Sequence, residues 1–212
     1  MKRQVIYLII ILGILMSCFF TRNSESGSPS EFLELFQDIS CDNLHLYSPC
    51  DKAEGNKFEG QLIDSTFHKF FMFDKWLKTT FDYQNNIFSC FKFKLSDTET
   101  GLIIRRLSQY SESAIDMCIW DKQTESIIKR IELADTFGDG TWYFVKDAWI
   151  TDINEDGYLD IVTRKMEWWE DDVESTTENP QGVGEIHTSD TLKTYLSNSE
   201  NYKLTSVKST FN

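Results

Sequence analysis

Residues 152–160 read Asp-Ile-Asn-Glu-Asp-Gly-Tyr-Leu-Asp, and this stretch decides how the centre of the chain is expected to fold. Oxygen-bearing side chains occupy its first, third, fifth and ninth positions, namely Asp152, Asn154, Asp156 and Asp160. Side chains at alternate positions of a tight loop can face one centre, and Gly157 permits the sharp turn. Asn, Asp and Gly also form ordinary turns that bind nothing, because they tolerate positive φ. Four oxygens in this spacing exceed what a turn requires, so the stretch indicates a ligand-binding loop.

The spacing suits calcium, a hard cation that takes about six to eight oxygen ligands. The backbone carbonyl of Tyr158 would be a fifth donor. An EF-hand would need a bidentate Glu at its twelfth position and helices on both sides, but that position is Thr163 here. The flanking residues 142–145 and 159–163 are rich in aromatic and β-branched side chains, which favour strands. The sequence therefore predicts Ca²⁺ held by a loop between two strands of a hairpin.

Residues 149–162, Trp-Ile-Thr-Asp-Ile-Asn-Glu-Asp-Gly-Tyr-Leu-Asp-Ile-Val, resemble the FG-GAP or VCBS-type repeat of integrin-like β-propellers. In those repeats D-x-N-x-D-G-x-x-D binds calcium between two strands, so the resemblance implies the same ligands here. The chain carries one copy, and Phe-Gly-Asp-Gly at 137–140 faintly echoes the F-G-G-A-P half of the repeat.

The rest of the chain predicts a mainly β fold, an antiparallel meander or propeller-like sheets with one short N-terminal helix. Ser-Pro-Ser-Glu at 28–31 is a capping box, and the apolar spacing that follows predicts a helix over about 29–39. Residues 41–60 read as a loop, whereas the aromatic-rich residues 62–81 fit a helix or two strands and indicate core. Strands are predicted from partial alternation at 88–95, from a short aliphatic run at 101–106, and from the segments 114–120 and 126–133 that flank a polar turn. Residues 192–196 and 202–207 predict a last hairpin.

The N-terminus is typical of an exported lipoprotein. Lys2 and Arg3 precede an apolar run over 5–16, which is too short to span a bilayer comfortably. Leu-Met-Ser-Cys at 15–18 resembles the bacterial lipobox, which implies that Cys18 receives acyl chains such as palmitate. An uncleaved anchor or a plain secretory signal is the alternative. We expect a signal peptide at 1–17, a flexible tether at 18–28 and a single calcium-binding β domain at 29–212, anchored outside the cytoplasm in a bacterial envelope, in the periplasm or at the cell surface.

Four cysteines remain if Cys18 carries lipid. Disulfides are expected in an oxidising compartment, and four cysteines allow three pairings. We favour Cys41–Cys50, which closes a short loop, with Cys90–Cys118, which would join two strands. Buried thiols are the alternative.

Charge and motifs narrow the function classes. The net charge of −13 argues against nucleic-acid partners and against anionic membrane surfaces, so contact with the membrane is expected only through the lipid anchor. No G-x-S-x-G, H-E-x-x-H, P-loop or G-x-G-x-x-G motif occurs, and no catalytic residue is assigned. The sequence therefore indicates a binding or structural protein rather than an enzyme.

Trp168 and Trp169 are candidate binding residues for an unknown protein or glycan. Neighbours in a strand face opposite sides, which places one in the core and one at its rim, or exposes one for a ligand. Two further hypotheses remain. A lipidated β domain with one such loop resembles periplasmic immunity proteins that inhibit lysozyme-like enzymes, and a surface-glycan binding or hydrolysing role would need these tryptophans beside a carboxylate-bearing cleft.

Overall fold

The computed structural model describes residues 27–40, 43–48, 58–71, 87–106, 113–171, 184–197 and 202–211. These residues form a mainly β fold, as the sequence predicted. The helical elements among them are α1 (Pro29–Glu34) and a 3₁₀ helix (Ser65–Phe71). No helix in the described ranges is both long and apolar enough to cross a membrane.

Eleven strands lie within the described ranges and belong to one connected sheet. They are β1 (Gln37–Asp38), β2 (Leu44–Leu46), β3 (Gln61–Leu62), β4 (Ile87–Lys94), β5 (Glu99–Arg106), β6 (Ala114–Asp121), β7 (Ser126–Asp139), β8 (Trp142–Thr151), β9 (Asp160–Glu170), β10 (Ile186–Ser197) and β11 (Tyr202–Phe211). The strands predicted from the sequence are confirmed, although the last hairpin, β10–β11, is longer than its sequence pattern indicated.

The predicted antiparallel meander runs from β4 to β11, with each strand pairing with the next in the chain. β7 is the connecting element, because residues 126–134 pair with β6 whereas residues 135–139 pair with β8. We call β1 and β3–β7 the first half-sheet, and β2 with β8–β11 the second half-sheet. β1 lies parallel to β4, and β2 pairs with β8.

Two hydrophobic cores cover opposite faces of the first half-sheet. One face packs beneath the helical elements, where Phe32 and Phe71 contact a cluster that includes Trp120 and Leu102. The other face packs against the second half-sheet, which includes β2. The core between them includes Leu46, Ile103, Met117, Ile150 and Ile161. Phe71 is fully buried, so the part of the aromatic-rich segment that the structure describes is core, as expected.

Helix α1 is shorter than the sequence predicted. The capping box is present: the Ser28 hydroxyl accepts a hydrogen bond from the Glu31 backbone N–H, and Glu31 Oε2 accepts one from the Ser28 N–H at 2.7 Å. The helix ends at Glu34 because residues 37–38 pair in parallel with β4 and the Ile39 N–H donates to the Lys92 carbonyl. Strand pairing therefore overrides the helical spacing of the last predicted turn.

The loop expected over residues 41–60 contains the short strand β2, so that part of the expectation is wrong. Leu44 and Leu46 turn into the core between the half-sheets. His45, between them, faces the other way and stacks on Trp149 at 4.7 Å between ring centroids, and its Nε2 lies 3.2 Å from Asp147 Oδ2. The turn residues of this segment did not indicate a strand. The strand forms because its two leucines are buried and its backbone pairs with β8.

A buried ion-pair network lies near the junction of the half-sheets. Asp116 Oδ2 accepts hydrogen bonds from Arg106 Nε at 3.0 Å and from Arg130 Nη1 at 3.4 Å. Glu132 Oε2 lies 3.3 Å from Arg106 Nη2, and Glu132 Oε1 lies 3.0 Å from Lys146 Nζ. Asp116 is fully buried, and its Oδ1 accepts no hydrogen bond within the described part of the chain. Burial raises the pKa of Asp116, while Arg106 and Arg130 oppose that rise.

Candidate metal and binding site

The loop at 152–159 connects β8 to β9, so the predicted strand–loop–strand arrangement is confirmed. Thr151 pairs with Asp160 at the end of the ladder, directly below the loop. The β-branched and aromatic residues on both sides extend this ladder, which fixes the two ends of the loop at neighbouring positions. The sequence-predicted ligands Asp152, Asn154, Asp156, Tyr158 and Asp160 are thereby confined to one end of a single hairpin.

Asp152 organises the first half of the loop. Its Oδ1 accepts a hydrogen bond from the Asp156 N–H at 3.1 Å, and its Oδ2 accepts one from the Gly157 N–H at 2.8 Å. Gly157 has a φ of +86°, a conformation that L side chains rarely adopt, and Glu155 has a φ of +59°. The glycine at the sixth position is therefore needed for this turn, as the spacing predicted.

Asn154 and Asp156 contact each other at the exposed tip. Asn154 Oδ1 accepts from the Asp156 N–H at 3.2 Å, and Asn154 Nδ2 donates to Asp156 Oδ2 at 2.9 Å. Asp156 Oδ1 accepts from the Tyr158 N–H at 2.9 Å. The loop therefore holds both side chains on its own backbone rather than leaving them extended into solvent.

Asp160 is the buried member of the set. Its side chain is fully shielded from solvent, and its Oδ2 accepts a hydrogen bond from the Ile153 N–H at 3.0 Å. Thr163, which stands where an EF-hand has its bidentate Glu, is buried within β9 and offers no carboxylate. The ninth position therefore closes the loop in place of the twelfth.

The donor chemistry fits a hard cation. Each carboxylate has about four lone-pair sites, and the loop N–H groups occupy only some of them. Within the described ranges, neither Asp152 nor Asp156 forms an ion pair with a basic side chain. As folded here, the described residues contain no cluster of three or more Asp, Glu, His or Cys side chains that could hold a metal. Calcium ligation would therefore require the loop carboxylates to move closer together.

A groove lies beside the loop. Residues 94–98, which form the end of β4 and the turn into β5, make one wall, and residues 156–158 of the loop make the other. Its volume is about 590 Å³. Sequence reasoning missed the first wall, because the two segments lie about 60 positions apart and nothing in the turn sequence indicates a site. Packing of the two half-sheets brings the segments together.

Trp168 and Trp169 lie on opposite faces of β9, as strand geometry predicted. Trp168 packs beside Tyr143 at 5.4 Å between ring centroids, and Trp169 stacks on His187 at 5.5 Å. Both indoles are half-buried, and neither belongs to the two cores. The expected division into one core and one rim tryptophan is therefore replaced by two partly exposed rings, neither of which lines the groove beside the loop.

More aromatic side chains surround these tryptophans at the end of the second half-sheet. Phe137, Trp142 and Phe144 lie within 6.0 Å of one another between ring centroids. Lys165 Nζ stands over the Phe144 ring at 4.4 Å from its centroid. Trp142 keeps 38% of its surface exposed, and Tyr143 keeps 40% on the opposite face. We call Phe137, Trp142, Tyr143, Phe144, Trp168 and Trp169 the aromatic end of the sheet.

The preferred pairing of Cys90 with Cys118 is wrong. Cys90 packs in the core between the half-sheets, and Cys118 packs on the opposite face beneath the helices. β5 also separates their strands, so the two Cα atoms lie beyond the reach of a disulfide. Burial raises the pKa of the Cys90 thiol to about 12. Cys18, Cys41 and Cys50 lie outside the described residues.

Comparisons with known proteins identified no similar protein. The chain matches no family model, and neither the curated proteins nor the solved structures yielded a match. The resemblance to FG-GAP and VCBS-type repeats is therefore carried by residues 149–162 alone and stays a hypothesis.

Proposed function

We propose that this chain is a calcium-binding β domain with a binding or structural role, held outside the cytoplasm by a lipid on Cys18. The observation that carries the calcium part is the loop between β8 and β9. It carries four oxygen-bearing side chains within nine residues at one end of a hairpin, with Asp160 fully buried. The anchor rests on the N-terminal sequence pattern, which lies outside the described residues.

The physical role of the metal follows from charge. Asp152, Asp156 and Asp160 place three negative charges in nine residues, and like charges at short range repel. Calcium offsets this repulsion and binds the folded loop better than an unfolded chain, so it stabilises the fold by mass action. The hairpin that it closes joins the second half-sheet to the shared core through Ile150 and Ile161. Calcium would therefore stabilise the domain as well as the loop.

Calorimetric titration of the purified chain with CaCl₂ tests this proposal directly. We expect saturable binding to one site, and we expect Asp156→Ala to abolish it. If the folded wild-type chain binds no calcium, the loop is an ordinary turn and the calcium proposal is refuted.

The aromatic end of the sheet favours a second candidate, a protein or glycan partner. Aromatic side chains with partly exposed faces are common anchors of interfaces and stack well on ligands. Trp168→Ala and Trp169→Ala lie on opposite faces, so their separate effects on partner binding would show which face is used. A lysozyme-inhibition assay tests whether the protein inhibits lysozyme-like enzymes. Retention of the protein on immobilised polysaccharide tests whether it binds glycans.

A further inference from the structure

One face of the β8–β9 pair packs in a core at one end and carries aromatic rings at the other. Side chains at every second position of a strand share a face, and the β8–β9 ladder is regular throughout. Ile150 and Ile161 pack in the core between the half-sheets, so Trp142, Phe144 and Trp169 lie on that same face. Phe137 pairs with Phe144 in the β7–β8 ladder. We call Phe137, Trp142, Phe144 and Trp169 the inner aromatic face.

The inner aromatic face lies beyond the part of the sheet that the first half-sheet covers. Neither core within the described ranges includes its four rings, and Trp142 keeps 38% of its surface exposed. Burial of such apolar surface is favourable, and contiguous exposed aromatic side chains mark interaction surfaces. A partner on these rings would therefore extend a face that already packs as core.

The charges of the aromatic end select the kind of partner. Residues 137–144, 165–171 and 184–188 carry five acids against Lys165 and His187, a net charge of −4 with His187 neutral. This charge repels an anionic partner. It also disfavours a second copy docked face to face, because each copy would present the same charge. A cationic partner gains electrostatic attraction in addition to burial of the rings.

The bases of the aromatic end are already paired. Lys165 Nζ lies 2.7 Å from Glu167 Oε1, and His187 Nε2 lies 3.0 Å from Asp171 Oδ2. Asp139 is exposed and forms no ion pair with a basic side chain in the part of the chain that the structure describes. Its carboxylate is therefore left for a cation from outside these residues.

The rings of this face already hold one cation of the chain. Lys165 Nζ lies 4.4 Å from the Phe144 ring centroid and 5.6 Å from that of Trp142, within the distance of about 6 Å at which a ring attracts an ammonium or guanidinium. Asp139 pairs with Trp142 in the β7–β8 ladder, so a carboxylate stands beside the exposed ring. An arginine combines stacking on a ring with pairing to a carboxylate, whereas a neutral ligand gains nothing from the charge.

We propose that the inner aromatic face docks a basic segment of a partner protein, with an arginine or lysine of that segment over Trp142 and beside Asp139. This inference rests on the binding role proposed above and narrows the partner to a cationic protein. It also assigns the contact to one face of the aromatic end, leaving Tyr143 and Trp168 on the other face without a role in it.

The test measures fluorescence anisotropy of labelled peptides mixed with the full chain in a nonionic detergent without a sugar headgroup. Chelator is present, so the result does not depend on the calcium loop. The probes are three peptides of equal length with alternating Arg-Gly, Gln-Gly and Glu-Gly. We expect saturable binding of the Arg-Gly peptide alone, weakening as NaCl screens the charges. Trp142→Ala should weaken this binding about tenfold, and Asp139→Asn about two- to fivefold.

Each variant has a matched control. Tyr143→Ala removes the adjacent ring, which is 40% exposed on the opposite face. Glu34→Gln removes an exposed acid from α1, on the far side of the first half-sheet. Both controls should stay within about twofold of the wild-type affinity. Asp139→Asn changes an exposed side chain, so it keeps the test valid if Trp142→Ala fails to fold.

Several results would overturn the inference. No binding of the Arg-Gly peptide, or equal binding of the Gln-Gly peptide, would remove the cationic partner. Equal losses in Trp142→Ala and Tyr143→Ala would remove the assignment to the inner face, and equal losses in Asp139→Asn and Glu34→Gln would show attraction by overall charge alone. Retention on immobilised polysaccharide that Trp142→Ala abolishes, without Arg-Gly binding, would overturn this inference while the glycan candidate stands. Calorimetric titration with CaCl₂ tests the calcium site separately.

Discussion

Calcium-dependent stability is most sharply tested by replacing two adjacent acids of the loop. Asp156 is a proposed ligand, whereas Glu155 occupies the fourth position, outside the ligand spacing, and both side chains are exposed. Asp156→Ala and Glu155→Ala each remove one negative charge from the same tip. Only Asp156→Ala removes a proposed ligand, so a difference between the variants in calcium reports ligation rather than general repulsion.

The expected magnitudes follow from burial and mass action. In chelator, Glu155→Ala at its exposed site should change the free energy of unfolding by about 0.5 kcal/mol or less. Asp156→Ala also loses the hydrogen bonds from the Tyr158 N–H and Asn154 Nδ2, so it should cost about 0.5–1 kcal/mol. At free calcium about 100-fold above the dissociation constant, the wild type should gain about 2.7 kcal/mol. For a chain of this size, about 2–4 °C in Tm corresponds to each kcal/mol, so calcium should raise the Tm by roughly 5–11 °C.

The assay is thermal unfolding of the full chain and of each variant, followed by circular dichroism in calcium and in chelator. Glu155→Ala should keep the calcium-dependent rise, and Asp156→Ala should lose most of it. Equal losses of Tm in both solutions for Asp156→Ala would show that its carboxylate serves the turn alone. Equal behaviour of the two variants in calcium would show that charge, not ligation, produces the rise.

Three further predictions concern buried residues outside the loop. Phe32→Ala should lower the free energy of unfolding by about 3–5 kcal/mol in urea titrations, because Phe32 is fully buried among other aromatic rings; a loss below about 1 kcal/mol would contradict this packing. Burial raises the folded-state pKa of Asp116 above its unfolded value. The stability that Asp116 contributes therefore falls as pH rises through the interval between these two pKa values. Urea titrations from pH 4 to pH 7 should therefore increasingly favour Asp116→Asn over wild type, and a difference independent of pH would refute this. Cys90 and Cys118 should resist iodoacetamide until urea unfolds the chain, whereas a disulfide-linked peptide joining them in a non-reducing digest would contradict the placement of their strands.

The sequence alone was sufficient for features that are decided within a few neighbouring residues. The loop at 152–160 carries its donors and its turn-forming glycine in one stretch, and strand-forming residues flank it, so the hairpin was predictable. The capping box at 28–31 is equally local, because its two hydrogen bonds join residues three positions apart. The strands from β4 to β9 were predictable from runs of aliphatic, aromatic and β-branched residues bounded by polar turns, although β5 and β6 are buried on both faces and do not alternate.

Features that depend on long-range packing were decided only by the tertiary structure. Ile87 and Phe93 have the same parity in β4, yet they face different cores because the strand is irregular between Ser89 and Phe91. Cys90 and Cys118 face opposite cores, and only the packed sheet assigns each thiol to its face. The groove likewise exists only because β7 carries the chain from one half-sheet to the other and brings residues 94–98 beside the loop. Local sequence specifies turns and strands, whereas the contacts between distant strands are fixed by burying both faces of the first half-sheet at once.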